Sequence, residues 1–135
     1  SACHGTDNFV PGPNIFNNGL ERLDLPNVDL GKGAITGVPT DNGKFKVGSL
    51  RNIELTAPYM HDGRFATLEA VVNFYSTQVV DNANLSPPLR TPGGGVSRPN
   101  FNAQQKADLV NFLKSLTDTS LATNPKYSDP FNYGY

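Results

Sequence analysis

Four positions in this sequence carry side chains that could hold a metal or a cofactor: Cys3, His4, Met60 and Tyr75. The first two stand in the opening run Ser1-Ala2-Cys3-His4-Gly5, which matches the last four residues of C-x-x-C-H plus one. A complete C-x-x-C-H attaches c-type haem, because two thiols add to the haem vinyl groups and the adjacent histidine is placed to ligate the iron. The first cysteine has no counterpart here, so the alternative is a plain cysteine beside a surface histidine.

Met60 and Tyr75 are two candidates for a ligand on the other side of such a group. Met60 is the only methionine, and a thioether sulfur is a common sixth ligand in electron-transfer cytochromes. The alternative for Met60 is a flexible side chain that fills a gap in the core. A buried Tyr75 hydroxyl would need a polar partner or an ion.

Two helices are predicted to position these residues. The first runs over residues 67–76, with Thr67 or Ala66 near its N-cap, Glu69 in its first turn, and an inward stripe of Leu68, Val71, Val72 and Tyr75. The second runs from Ala103 to Leu116 after an Asn102 cap, with an apolar stripe of Leu109, Phe112, Leu113 and Leu116.

The rest of the chain is predicted to be loop, since it carries most of the 13 glycines and 11 prolines. We expect an ordered loop region over residues 7–44, a short helix at 49–52, a surface excursion over 81–100 and an extended tail from 117. A long loop with scattered apolar anchors suits wrapping around a bound group.

The length and net charge of the chain limit the number of domains and the classes of binding partner. The 135 residues fit one domain, and a formal net charge of -1 from 11 basic and 12 acidic side chains gives no electrostatic footprint for nucleic acid or an anionic membrane. No apolar run is long enough for a membrane span, and the single cysteine excludes an internal disulfide framework. If the protein is exported, we expect its signal upstream of Ser1.

Several separated segments together resemble one family. They are Phe45–Ile53, Leu55–Gly63 and Ala66–Glu69, supported in order and spacing by Cys3-His4, Phe16–Leu20 and Lys106–Thr117. These segments look like the C-terminal haem domain of the di-haem cytochrome c peroxidase and MauG family. The resemblance implies an all-α, cytochrome-c-like domain with long irregular loops over residues 1–117, followed by an extended tail over 118–135.

The resemblance implies haem c and a role for each ligand candidate. Cys3 matches the second haem-attaching cysteine, and His4 matches the proximal axial ligand. The family places its sixth ligand on the helix after the Ala-Thr-Leu-Glu element, where peroxidases carry Met and MauG-like members carry Tyr. That position matches Tyr75, which we favour over Met60.

Further site residues follow from the resemblance alone. The backbone carbonyls of Thr56 and Pro58 match calcium ligands at the interface between the two domains of the family, although the same residues could form an ordinary turn. His61 would face the region between the haems and assist electron transfer, unless it is a partly exposed histidine bonded to a carbonyl. Arg51 could pair with a haem propionate or close a surface turn.

The sequence therefore predicts the haem c electron-transfer domain of a periplasmic, MauG-like oxidoreductase that uses hydrogen peroxide. Its expected partners are an N-terminal haem domain of the same protein and a redox protein or protein substrate. We expect little turnover from these 135 residues alone, a cysteine directly before Ser1, and a second C-x-x-C-H well before it. The alternatives are an ordinary di-haem cytochrome c peroxidase with Met60 as ligand, and a haem-free interaction module.

Overall fold

The computed structural model describes residues 3–5, 15–121 and 123–131, and it shows a helical domain with long irregular loops. Its regular elements are strand β1 (Ile15–Phe16), helix α1 (Lys32–Thr36), strand β2 (Phe45–Lys46), helix α2 (Leu68–Asn73) and helix α3 (Ala103–Ser115). A π-helical turn, Phe74–Gln78, continues α2. Single 3₁₀ turns occur at Pro39–Asp41, Ile53–Leu55, Pro87–Leu89 and Pro125–Tyr127.

Helix α2 begins where the sequence predicts it. The Thr67 hydroxyl accepts a hydrogen bond from the Ala70 N–H, so Thr67 is the N-cap. Leu68 and Val72 are buried as expected, but the equally buried Phe74 was absent from the predicted stripe. The reason is that the backbone passes from α to π geometry at Phe74, so a period of 3.6 residues no longer locates the inward face.

Helix α3 is also confirmed, although its inward face differs from the predicted one. A capping box joins Asn102 and Gln105 at its start. Val110 is the buried residue, whereas Leu109 and Phe112 are 37% and 48% exposed. The predicted stripe was therefore wrong at these two positions, because α2, which packs on α3, has only six residues and covers a narrow strip.

The core consists of two apolar clusters that α2 and its π turn connect. Near the start of α2 lie Tyr59, Leu68, Val72 and Val110, and around the π turn lie Leu20, Phe74, Val79 and Leu85. Phe65 packs against both clusters. The segment from residue 68 to 79 is thus the element on which the rest of the domain packs.

The loop predictions were partly correct. Strands β1 and β2 pair antiparallel, which departs from an all-α fold, and α1 was not predicted. No helix forms at 49–52, because the Ser49 hydroxyl accepts from the Arg51 N–H and Asn52 has a φ of 58°. A 3₁₀ turn instead begins directly after this segment, at Ile53.

The segment over residues 81–100 was predicted to lie on the surface, but part of it is buried. Leu85 and Ser86 are buried, and the Arg90 guanidinium donates to the carbonyls of Asn82, Leu85 and Gly94. Beyond residue 117 the described tail is mostly exposed, with one 3₁₀ turn. Among the described residues, none of the helices is long and apolar enough to cross a membrane.

Asp41 gives a pH-dependent test of the loop around α1. Its carboxylate pairs with Lys32 at 2.9 Å and Lys44 at 3.3 Å and accepts from the Thr36 hydroxyl, and the hydrogen bond from Lys32 is the main cause that lowers the Asp41 pKa. A depressed carboxyl pKa stabilises the fold above its unfolded value of about 4, and this stabilisation is lost as the pH falls through the folded value. Asp41→Asn should therefore lower the free energy of unfolding at pH 7.

Urea unfolding at pH 7 and below pH 4 measures the difference in free energy of unfolding between the wild type and Asp41→Asn. This difference should be smaller in acid. Asp108→Asn is the control, since that exposed side chain on α3 can still accept from Gln104 as an amide. An Asp41→Asn penalty of equal size at both pH values would contradict the assignment.

Candidate functional site

A buried asparagine fixes the turn that follows β1. Asn17 is 2% exposed, and its side-chain oxygen accepts from the Gly19 N–H at 2.9 Å and from the Asn82 amide at 3.2 Å. Its backbone N–H donates to the Ser86 hydroxyl at 2.9 Å, and its carbonyl accepts from the Ser86 N–H at 3.1 Å. The turn is thereby bound to the segment after the π turn.

Asn18, the next residue, brings the two predicted ligand candidates together. Its side-chain nitrogen lies 3.4 Å from the Met60 sulfur and 3.4 Å from the Tyr75 hydroxyl oxygen. Its side-chain oxygen accepts from the Leu20 N–H at 3.2 Å. Met60 and Tyr75 thus share one donor group, although they are far apart in the sequence.

Met60 stands in a loop that is closed at both ends. The Tyr59 N–H donates to the Phe65 carbonyl at 2.7 Å, and the Tyr59 hydroxyl donates to the Ile53 carbonyl at 3.1 Å. Met60 has a φ of 75°, which is uncommon for a residue other than glycine and recurs at functional sites. The loop places the Met60 side chain against the core cluster around the π turn.

Tyr75 lies within the π turn, a feature that often marks functional sites. Its ring meets Phe74 edge to face, with centroids 5.0 Å apart. Burial raises the pKa of the Tyr75 phenol, the hydrogen bond from Asn18 lowers it, and the charge of Cys3 raises it.

Cys3 and His4 are both partly buried, and burial raises the pKa of the Cys3 thiol. The core cluster around the π turn is flanked by partly buried side chains that we call the apolar wall: Met60, Phe65, Tyr75, Leu89 and Val96. Imidazole, phenolate and thioether groups are the protein ligands of haem iron. His4, Tyr75 and Met60 supply these three ligand types, and Met60 and Tyr75 both pack against the core cluster around the π turn.

His61 follows Met60 but belongs to a different cluster. Its ring stacks on Phe45 with centroids 3.6 Å apart, and its nitrogen lies within 4.8 Å of carboxylate oxygens of Glu21 and Asp62. Arg64 forms ion pairs with both carboxylates and is the main cause that lowers the Asp62 pKa. The guanidinium therefore accounts for the proximity of the two acidic groups.

Known proteins resemble this chain over most of its length. No protein-family model matches the sequence.

Cytochrome-c peroxidase IdrP2 from Pseudomonas sp. (strain SCT) is 38% identical over 132 residues, covering 87% of this chain and 33% of that protein. Cytochrome c551 peroxidase from Nitrosomonas europaea is 38% identical over 121 residues, covering 85% and 29%. Methylamine utilization protein MauG from Paracoccus denitrificans is 36% identical over 112 residues, covering 71% and 29%. The chain belongs to the cytochrome c peroxidase and MauG family.

A solved structure agrees with this membership. A MauG-like protein associated with microbial copper homeostasis matches with a TM-score of 0.77 and 39% identity, covering 96% of this chain and 46% of that chain. The family domain described here therefore has the fold of part of that protein. It spans 29% to 33% of the length of the three curated relatives.

Within this family domain, the structure brings only some of the predicted residues together. Met60 and Tyr75 are linked through Asn18, which contacts both side chains. Three other predicted site residues are exposed and lie in the loops before Tyr59: Arg51, Thr56 and Pro58. Their predicted roles stay predictions, as does the role of His61.

Asn18 and the ion pairs of Arg64 were missed by the sequence reasoning. The run Asn17-Asn18-Gly19 is a turn signal that could have been found locally. The partners of Asn18 lie 42 and 57 residues away in sequence, so no local pattern identifies them.

Gly19→Ala should destabilise the protein by about 2 kcal/mol or more, because Gly19 has a φ of 70° and an added Cβ would lie 2.7 Å from the Val80 carbonyl oxygen. Urea unfolding measures the loss. Gly48→Ala is the matched control, since a Cβ there meets nothing within 4 Å. Equal stabilities of the two variants would show that the turn at Gly19 is not tightly packed.

Proposed function

We propose that this chain is the C-terminal haem c electron-transfer domain of a MauG-like, di-haem oxidoreductase that uses hydrogen peroxide. The observation that carries the proposal is the shared contact of Met60 and Tyr75 with Asn18. Relatives named cytochrome c peroxidase and MauG support the same chemistry. The domain would comprise residues 1–117, with 118–135 as a tail.

The residues present fit a haem. Cys3 would supply a thioether bond and His4 the proximal ligand, and the remaining members of the apolar wall, Phe65, Leu89 and Val96, would offer apolar contacts to the haem. When bound, haem supplies one-electron redox chemistry that no side chain offers at this site. Arg51 would pair with a propionate, for which its planar guanidinium is suited.

Tyr75 is our choice for the sixth ligand. A phenolate oxygen stabilises ferric and more oxidised iron, whereas a thioether favours ferrous iron. Tyr75 lies in the π turn that continues α2, its hydroxyl oxygen is 3.4 Å from the Asn18 amide nitrogen, and burial raises the pKa of its phenol. Through this contact, Asn18 would orient the Tyr75 oxygen toward the iron.

An ordinary cytochrome c peroxidase with Met60 as ligand is the second candidate. Two of the peroxidase relatives are as similar to this chain as the MauG relative is, and the Met60 sulfur is as close to Asn18 as the Tyr75 oxygen. In that case the domain would receive electrons rather than share oxidising equivalents.

The remaining assignments complete the proposal. An N-terminal haem domain of the same protein would be the redox partner, and a redox protein or protein substrate the external one. His61, which is exposed and stacked on Phe45, would assist electron transfer between the domains. We place the protein in the periplasm, where cell fractionation would locate it; recovery with cytoplasmic markers would overturn this placement.

Spectroscopy of the natural full-length protein distinguishes the two ligands. Tyr75→Phe should abolish the ferric charge-transfer absorption of a phenolate ligand, while Met60→Leu should leave it unchanged. A ferric absorption band at the red end of the spectrum, lost in Met60→Leu, would instead establish methionine ligation. The intact mass must also show covalent haem, and its absence would favour a haem-free interaction module.

Calcium would bind the backbone carbonyls of Thr56 and Pro58, which are exposed, together with ligands from the adjoining domain. Chelation should then lower the midpoint of thermal unfolding of the full-length protein, and added calcium should restore it, because a ligand that binds only the folded state stabilises it. Magnesium at the same concentration is the control. A midpoint that does not respond to calcium would exclude this site.

A further inference from the structure

We propose that Asn18 is a positioning residue that selects the iron ligand, favouring the Tyr75 oxygen over the Met60 sulfur. The inference rests on the proposed function, because it assumes that one of these two atoms ligates a haem iron. It concerns a residue that the family resemblance left without a role. Its basis is the geometry of one side-chain amide and the chemistry of its two neighbours.

The orientation of the Asn18 amide is determined by its surroundings. Its oxygen accepts from the Leu20 N–H at 3.2 Å, so exchanging oxygen and nitrogen would place two donors against each other. The nitrogen must therefore face Met60 and Tyr75. Since an amide nitrogen carries two hydrogens, it can donate to both atoms at once.

The position of the amide is fixed as firmly as its orientation. On one side Asn17 is held by Ser86 and Asn82, and on the other Gly19 packs tightly against Val79 and Val80. The Asn18 backbone thus lies between two anchored residues. A donor held in this way constrains both potential ligands before any metal binds.

The two neighbours are unequal acceptors. A thioether sulfur is a weak acceptor of hydrogen bonds, whereas a tyrosine oxygen that ligates a metal carries negative charge and accepts a charge-assisted bond. The same N–H group therefore stabilises Tyr75 as a ligand more than it stabilises Met60. Asn18 thereby biases the equilibrium between the two ligands toward the oxygen.

Two substitutions in the natural full-length protein test this selection. Asn18→Leu removes both donors, and Asn18→Asp removes them while keeping an oxygen for the Leu20 N–H. Both should weaken Tyr75 ligation, so that added imidazole competes with it at about tenfold lower concentration. The phenolate absorption of the ferric protein should fall in parallel.

Methionine should replace tyrosine in the altered protein. We expect the red-end ferric band of methionine ligation to rise in Asn18→Leu and to vanish again in the double variant with Met60→Leu. Neither measurement depends on turnover, and a general loss of stability would not produce a methionine-specific band.

Asn84→Leu is the matched control. Asn84 is also a partly buried amide that donates twice, to the carbonyls of Pro39 and Asn42, but its partners belong to the loop around α1. This variant should lose stability while keeping the wild-type spectrum and imidazole affinity.

Unchanged spectra and imidazole affinity in both Asn18 variants would overturn the inference. Loss of haem from both variants, with haem retained by Asn84→Leu, would also overturn it in favour of a structural role. The proposed function fails separately, if Tyr75→Phe and Met60→Leu both leave the ferric spectrum unchanged. If Tyr75→Phe changes the spectrum but the Asn18 variants do not, only the selection by Asn18 is wrong.

Discussion

Buried Asn17 bonds to two loop segments that are distant from it in sequence, one at Asn42 and one from Asn82 to Ser86. Its side chain donates to the Asn42 carbonyl and accepts from the Asn82 amide, while its backbone N–H donates to the Ser86 hydroxyl and its carbonyl accepts from the Ser86 N–H. A buried irregular backbone is costly unless its N–H and carbonyl groups are bonded. In a chain with little regular structure, the hydrogen bonds of Asn17 therefore hold irregular segments together, as the hydrogen bonds between strands do in a β-sheet. The position of Asn18, the next residue, depends on them.

The helices were predictable because their signals are local. Thr67 and Asn102 bond to residues three positions later, and such caps can be read directly from the sequence. The inward faces were less predictable, since they depend on what packs against them. Phe74 turns inward through a change in helix type, and Leu109 stays exposed because α2 is short.

At the candidate site, likewise, the types of the ligand residues could be predicted from the sequence, whereas their arrangement could not. The sequence identified the chemical types, since Cys3, His4, Met60 and Tyr75 are all donors that haem iron accepts. It could not show that Met60 and Tyr75 share a neighbour, because that neighbour lies on a third segment. In the structure, the two alternative ligands contact the same amide nitrogen.

The large sequence separation between Asn18 and its two acceptors, 42 and 57 residues, has a consequence for how the protein matures. Contacts of such range form only after the intervening loops have closed, so they arise late and depend on cooperative folding. Cys3 and His4 are a local pair from the outset, whereas Met60 and Tyr75 come together at Asn18 only in the folded domain. On the proposed function, covalent attachment of the haem and completion of its coordination would be separate events in time.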